Sequence, residues 1–439
     1  MTDRRILCLL CCLLCPAPGP LLGHEDFEGP PIEYSRSTPD NAVSQLQQRL
    51  QTRQTQLAWE PEFGYLRSLL TELQVPVQSQ SLVFSKTSLQ LRRISPRTPR
   101  ALYFSDDVYV GFCQQGDVLE LSAVDSQLGT VFYTLSQHNT GPAPAFVRHT
   151  DNCLVCHSSS RTDGVPGHLA RSLLTDRSGQ PLLSAGSRNV NHTTPVPDRW
   201  GGWYVTGTHG DQKHLGNLIV TEAEANSPVD NTKGLNRTTL TDLFPVERYL
   251  SGHSDIVALM ILEHQILVHN RIARASFAVR EALHYETTMN AALQNPAGTR
   301  LESTTRRINS AADKLLEALL LCDEASLTAA ITGTSGFARH FNANGPRDSL
   351  GRSLKELDMQ TRMFRYPCSF LILSPAFHSL HPEMKSTVLT KLQNILTGPD
   401  NNPRFAHLSA TDRSNIREIL TELLPEFAAA KTDEIATPQ

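Results

Sequence analysis

The chain lacks any excess of charge. Forty Lys and Arg stand against 44 Asp and Glu, a net charge of −4 over 439 residues. No long block of one sign occurs, so there is no basic footprint for nucleic acid. Internal repeats are absent, and residues 41–73, rich in Gln, Leu and Arg, carry no sustained heptad. Beyond the first residues no segment reads as long and apolar enough to cross a bilayer. Of the 9 cysteines, four lie in the first fifteen residues, and beyond them only Cys153 and Cys156 form a C-x-x-C pair. Cys113, Cys322 and Cys368 are widely separated; they could supply one disulfide or stay as buried, unpaired thiols.

The start of the chain carries a targeting pattern. Arg4 and Arg5 precede an apolar run over 6–14, then Pro16-Ala17-Pro18-Gly19 and the polar Gly23-His24-Glu25. A positive region, a short apolar core and a small-residue cleavage zone predict a signal peptide over residues 1–23. Nine apolar residues are too few to span a membrane. Cleavage near Gly23 is the better fit; the alternative is lipidation of Cys15, which would leave a lipid tether. Either way the expectation is an exported protein of the periplasm or cell envelope.

The most informative stretch is Cys153-Leu154-Val155-Cys156-His157. C-x-x-C-H is the attachment signature of a c-type haem. Two cysteines three apart on one helical turn point the same way, so both sulfurs can bond the vinyl groups of a single porphyrin. His157 then offers an imidazole to the iron. Chance would produce roughly 0.01 such matches at this composition. A zinc knuckle could use the same three residues but would need a fourth ligand nearby. A thioredoxin-like dithiol normally stands beside a βαβ pattern, which this loop-like segment lacks.

Around the motif the chain divides by pattern. Residues 24–40 are Pro-rich and polar and predict a disordered leader; Asn41 and the residues after it could open a helix. Short β-branched and aromatic runs at 101–104, 108–112, 118–121 and 130–134, separated by turn-formers, predict an antiparallel meander forming a wall near the porphyrin. Residues 158–197 lack periodicity and read as a stretch wrapping the cofactor. Residues 200–210 and 217–220 suggest two more strands joined by a loop carrying His209 and His214. From 255 to about 293 there is no Pro or Gly, and Ile256, Leu259, Leu262 and Ile266 recur at helical spacing behind Ser254 as N-cap. Further helices are expected over 304–321, 383–396 and 411–424. Strands first and helices later predict an α+β fold, with a haem-binding region over 41–250 and a helical region over 251–439 packed on it.

His157 is the proximal ligand in this reading. A methionine opposite it would raise the potential, a histidine would lower it, and an open position would allow ligand binding or catalysis. Distal candidates are His209 and His214 in their Gly-flanked loop, and Met260 and His264 on one face of the long helix. Each of the latter two, taken alone, also fits an ordinary core position. Arg161 is the first choice for pairing a haem propionate, with His168 and Arg171 close behind it in sequence. Trp200 and Trp203 could pack on the porphyrin face or simply in the core.

The motif region resembles c-type cytochromes, with Cys153 and Cys156 as thioether anchors and His157 as proximal ligand. The chain is about four times the length of a compact small cytochrome c domain. In size and export it is loosely similar to bacterial di-haem cytochrome c peroxidases, which carry two C-x-x-C-H motifs where this chain has one. His269-Asn270-Arg271 resembles a short helical signature of animal haem peroxidases, over about six residues. Across nearly its whole length, through 151–161, 200–210 and Tyr366-Pro367-Cys368, the chain is similar to a group of large, exported, single-haem bacterial proteins, a resemblance that implies no activity. One covalent haem c and no second cofactor site imply one-electron transfer with a redox partner protein. The alternatives are a peroxidase-like or other haem oxidoreductase with an open iron, and a haem-containing sensor or structural protein of the envelope.

Overall fold

A computed structural model describes residues 27–139, 144–226, 229–398 and 402–429. The expected signal peptide lies outside the described residues. The expected disordered leader is a correction from Phe27 onward, because two apolar side chains hidden in its polar composition anchor it. Ile32 and Tyr34 are buried, the Tyr34 hydroxyl donates to the Thr130 carbonyl (2.9 Å), and the Arg148 guanidinium lies 5.0 Å over its ring.

Helix α1 (Ala42–Gln51) starts where Asn41 can cap it, its side-chain oxygen accepting from the amides of Val43 and Ser44. After α2 (Leu66–Glu72) the chain enters a six-stranded antiparallel sheet in sequential order. Its strands are β1 (Ser81–Val83), β2 (Arg100–Phe104), β3 (Val108–Phe112), β4 (Val118–Asp125), β5 (Gly129–Ser136) and β6 (Phe146–His149). Four of them are the runs expected from sequence.

The two faces of this sheet differ. Side chains alternate across a strand, and β4 buries every second residue. Tyr103, Val110, Leu121 and Val131 pack with Val43, Leu46, Leu66 and Leu70 into one core. The opposite face carries Arg100, Gly111, Glu120, Ser122, Phe132 and Thr134, in the register Gly111–Glu120–Thr134. Arg100 reaches across Gly111 to pair with Glu120 at 2.7 Å. A Cβ on Gly111 would lie 2.3 Å from the guanidinium, so this crossing requires glycine.

The motif turn α3 (Leu154–His157) follows, then the short pair β7 (Arg171–Ser172) and β8 (Arg188–Asn189). The two strands expected over 200–220 are a correction. Only β9 (Gly207–Thr208) forms there, and its partner is the distant β10 (Thr332–Gly333). Asn217 has a left-handed backbone, and its side chain both accepts from the Val205 amide and donates to the Val205 carbonyl, both at 2.8 Å. A side chain thus replaces the strand ladder.

Helix α4 (Ile256–Ala292) is 37 residues long. Its N-cap is Asp255, whose carboxylate accepts from Val257 and Ala258. The expected cap, Ser254, is used elsewhere: its hydroxyl donates to the Tyr204 carbonyl (2.6 Å) and accepts from the Leu82 amide. By length and composition α4 could cross a bilayer, contrary to the expectation that no later segment could; 83% of its most apolar window is buried inside the fold. Around it pack α5 (Glu302–Leu319), α6 (Phe337–Ala343), α7 (Pro375–His378), α8 (Pro382–Thr397), α9 (Ala410–Leu423) and α10 (Pro425–Ala429). The fold is α+β, strands first and helices after, as the sequence pattern predicts. Residue 250 separates secondary-structure types more than cores, since Ala273 and Phe277 of α4 join the apolar core of the sheet. Cys113, Cys322 and Cys368 are free and buried, so the three thiols form no disulfide.

Burial holds three histidines far below their ordinary value: His192 and His214 at about 3, His269 at about 4. Unfolded, each would titrate near the usual value of about 6.5. The unfolded chain therefore takes up protons first as pH falls, and the stability present above about pH 6.5 drains toward the folded values. The melting temperature at pH 5 should lie roughly 10 °C below that at pH 7.5. Scanning calorimetry at the two pH values checks this; equal melting temperatures would contradict it.

Candidate functional site

The motif folds as one helical turn because its backbone closes on itself: the His157 and Cys156 amides donate to the Cys153 carbonyl at 3.0 and 3.3 Å. Leu154 is the buried anchor of the turn, and the Ser158 hydroxyl donates to its carbonyl (2.6 Å). The other side of the turn faces outward, with Cys156 exposed and Cys153 half-buried. Both thiols are free. Burial, with the carboxylates of Glu120 and Asp151 adding to it, pushes the Cys153 thiol up to about 11, so it stays protonated at neutral pH.

His157 is held from two directions. Its Nδ1 donates to the Gly167 carbonyl at 2.9 Å, and the Gly167 amide donates back to the His157 carbonyl at 2.8 Å. A carbonyl only accepts, so Nδ1 carries the proton and Nε2 keeps its lone pair. Nε2 makes no hydrogen bond among the described residues. Burial lowers the imidazole's proton affinity, which keeps it neutral at pH 7. Its ring rests 4.9 Å from that of Phe132 on the polar sheet face. The expected wall of strands therefore borders the motif through β5.

Sequence reasoning did not find what holds Gly167 there. Asn270 and Arg271 of α4 clamp the loop that follows the motif, and His269 beside them holds the turn between β2 and β3. Asn270 accepts from the His168 amide and donates to the His168 carbonyl, both at 2.9 Å. Arg271 pairs with Asp163 at 3.0 Å, and the His269 Nε2 donates to the Asp106 carbonyl at 2.8 Å. Gly167 fits under Asn270 because it has no side chain; a Cβ would meet the Asn270 oxygen at 2.4 Å. The only sequence signal was the His-Asn-Arg run itself, whose role here is to brace the loop and that turn.

Arg161 is exposed on the turn after the motif and forms no ion pair among the described residues. Arg171 stands close enough to Arg161 to be affected by its charge, and it also senses the Cys156 thiol. Burial, then Arg161, lowers the proton affinity of Arg171. The Arg171 guanidinium donates to the Ser187 hydroxyl from Nε (2.9 Å) and Nη2 (2.6 Å), so exposed Arg161 is the readier of the two to take an anion. His168 lies inside, its two ring nitrogens bonded to the hydroxyls of Ser122 and Thr130. Trp200 and Trp203 belong to the core, the Trp203 Nε1 donating to the Arg171 carbonyl (2.8 Å).

The four distal candidates are not brought to His157. His209 and His214 are buried against each other, rings 4.8 Å apart, with His214 edge-on to Trp200. Their loop is thus packed and not the flexible arm expected. His264 has both nitrogens engaged, Nδ1 with the His192 Nδ1 (3.0 Å) and Nε2 with the Ser369 hydroxyl (2.8 Å). Met260 fills the core. None of the four is among the groups that touch His157.

No group of three or more His, Cys, Asp or Glu is placed to hold a metal ion among the described residues. A haem iron needs only one or two protein ligands. No family model matches the chain, and no curated protein or solved structure matches it.

Removing the clamp should be costly. Asn270→Leu leaves the buried amide and carbonyl of His168 unpaired, a loss of about 2 to 4 kcal/mol. Urea unfolding of the variant against the parent measures it, and a difference below about 0.5 kcal/mol would refute the clamp.

Proposed function

We propose that this chain is an exported c-type cytochrome carrying one covalent haem, and that it passes single electrons to or from a redox partner protein. The observation that carries this reading is His157, with Nδ1 locked on the Gly167 carbonyl and Nε2 free, one residue from an exposed free cysteine. Orientation of a ligating imidazole through its second nitrogen is how proteins fix a metal-binding tautomer. Cys153 and Cys156 would form the thioethers, Nε2 would approach the iron, and Arg161 and Arg171 would take the propionates. When bound, the haem supplies a one-electron couple at its iron. The chain's own residues hold it by covalent anchoring, keep the proximal imidazole neutral and neutralise the carboxylates.

Matured in a host that attaches c-type haem, the denatured chain should keep haem stain and gain the mass of one haem. The Cys153→Ser, Cys156→Ser double variant should lose both signals. A colourless, zinc-bearing protein would overturn the proposal.

A second reading has its own support. The four distal candidates are engaged away from His157, which favours an open sixth position and hence a peroxidase-like oxidoreductase or a sensor. Carbon monoxide added to the reduced protein separates the two. An unchanged spectrum supports the six-coordinate electron carrier, and a rapid shift supports the open site.

A further inference from the structure

A cavity of about 410 Å³ opens between α4, α6 and the turn joining β2 to β3. It does not involve the motif. One wall is aromatic: Phe104, Phe337 and Phe341 follow one another with ring centroids 5.5 and 5.7 Å apart. The opposite wall is rich in acceptors. Asp106 is neutralised, since both of its carboxylate oxygens take the Lys355 ammonium at 2.7 and 2.6 Å. Asp107 is not: its carboxylate accepts from the Ser105 hydroxyl (3.2 Å) and from its own backbone amide, and it has no ion pair among the described residues.

Gln265 adds an independent observation. It lines the cavity and is 1% exposed. Its amide nitrogen donates to the carbonyls of Ser105 (2.9 Å) and Asp106 (3.1 Å), which fixes the orientation of the group. The amide oxygen is left buried with no donor. Buried acceptors of this kind are rare without a partner, because the missing bond carries the full desolvation cost.

We propose that this cavity binds a small organic cation with an aromatic body, its ammonium donating to Asp107 and Gln265 and its ring lying on the Phe104–Phe337–Phe341 wall. The surplus charge, the missing donor and the aromatic lining all ask for the same ligand. Cations are attracted to aromatic faces, and the cavity already shows this, with the Lys355 ammonium 4.9 Å from the centres of Phe341 and Phe370. An anion would meet Asp107 uncompensated. Burial, then the neighbouring Asp106, raises the Asp107 carboxyl, and a bound ammonium would relieve both effects.

The test is a ligand series on the full chain, followed by saturation-transfer NMR and calorimetry, and it does not depend on whether haem is attached. The probes are 2-phenylethylammonium, 2-phenylethanol and 3-phenylpropionate, nearly equal in shape and differing in charge. The ammonium should bind at least about tenfold tighter than the carboxylate, with the alcohol between them. Asp107→Asn and Gln265→Met should each weaken the ammonium several-fold and leave the alcohol less affected. The proposal is overturned if the carboxylate binds as well as the ammonium, or if no probe saturates at millimolar concentration. Because the ranking is measured on the unaltered chain, it stands even where a variant fails to fold.

Discussion

The whole arrangement depends on the burial of α4. A helix sunk into a fold on nearly every side must still carry its polar side chains, and each must find a partner there. Glu263 pairs with Arg199 at 3.1 Å, although burial pushes its carboxyl toward the neutral form. His264 bonds His192 and Ser369, Gln265 the turn at 105–106, His269 the Asp106 carbonyl, and Asn270 the backbone of His168. Together these bonds attach the irregular segments at 192–199, 105–106, 168 and 369 to the same rod. Loops without a ladder of their own are thereby held by a helix that could not be buried without them.

The motif inherits its order from this constraint. Asn270 and Arg271 seat the loop 158–168, the loop presents the Gly167 carbonyl, and that carbonyl sets which nitrogen of His157 carries the proton. From the other side the polar sheet face supplies Phe132 and the Arg100–Glu120 pair. The exposed turn with its two thiols is therefore carried on a rigid frame, while its outer side stays open. A covalent cofactor needs that combination: fixed anchors and an accessible surface.

The same logic separates the histidines. Those on or beside α4 and in the segment before it are core residues whose nitrogens complete internal bonds or pack against aromatic rings. His157 differs in place: it is half-buried on the surface turn with Nε2 uncommitted, whereas the unpaired nitrogens of His192, His209 and His269 are sealed inside the fold. Spacing along a helix marks Met260 and His264 as neighbours, and a Gly-rich context marks His209 and His214 as a loop. Neither pattern reveals whether a ring nitrogen is already taken.

Several features were decided locally, and the sequence by itself determined them. The meander follows from short β-branched runs between turn-formers, α1 from Asn41, and the C-terminal helices from apolar spacing, because each depends on residues a few positions apart. The motif turn belongs to the same class: Cys153, Cys156 and His157 share one helical turn whatever surrounds it. Only the tertiary structure decided what depends on distant partners. Tyr34 is ordered because Thr130 accepts its hydroxyl, 217–220 is not a strand because Asn217 bonds Val205, and Ser254 loses the cap to Asp255 because Leu82 and Tyr204 claim it. The tautomer of His157 and the acceptor left open at Gln265 are of this kind too, since a hydrogen bond is known only once both of its ends are in place.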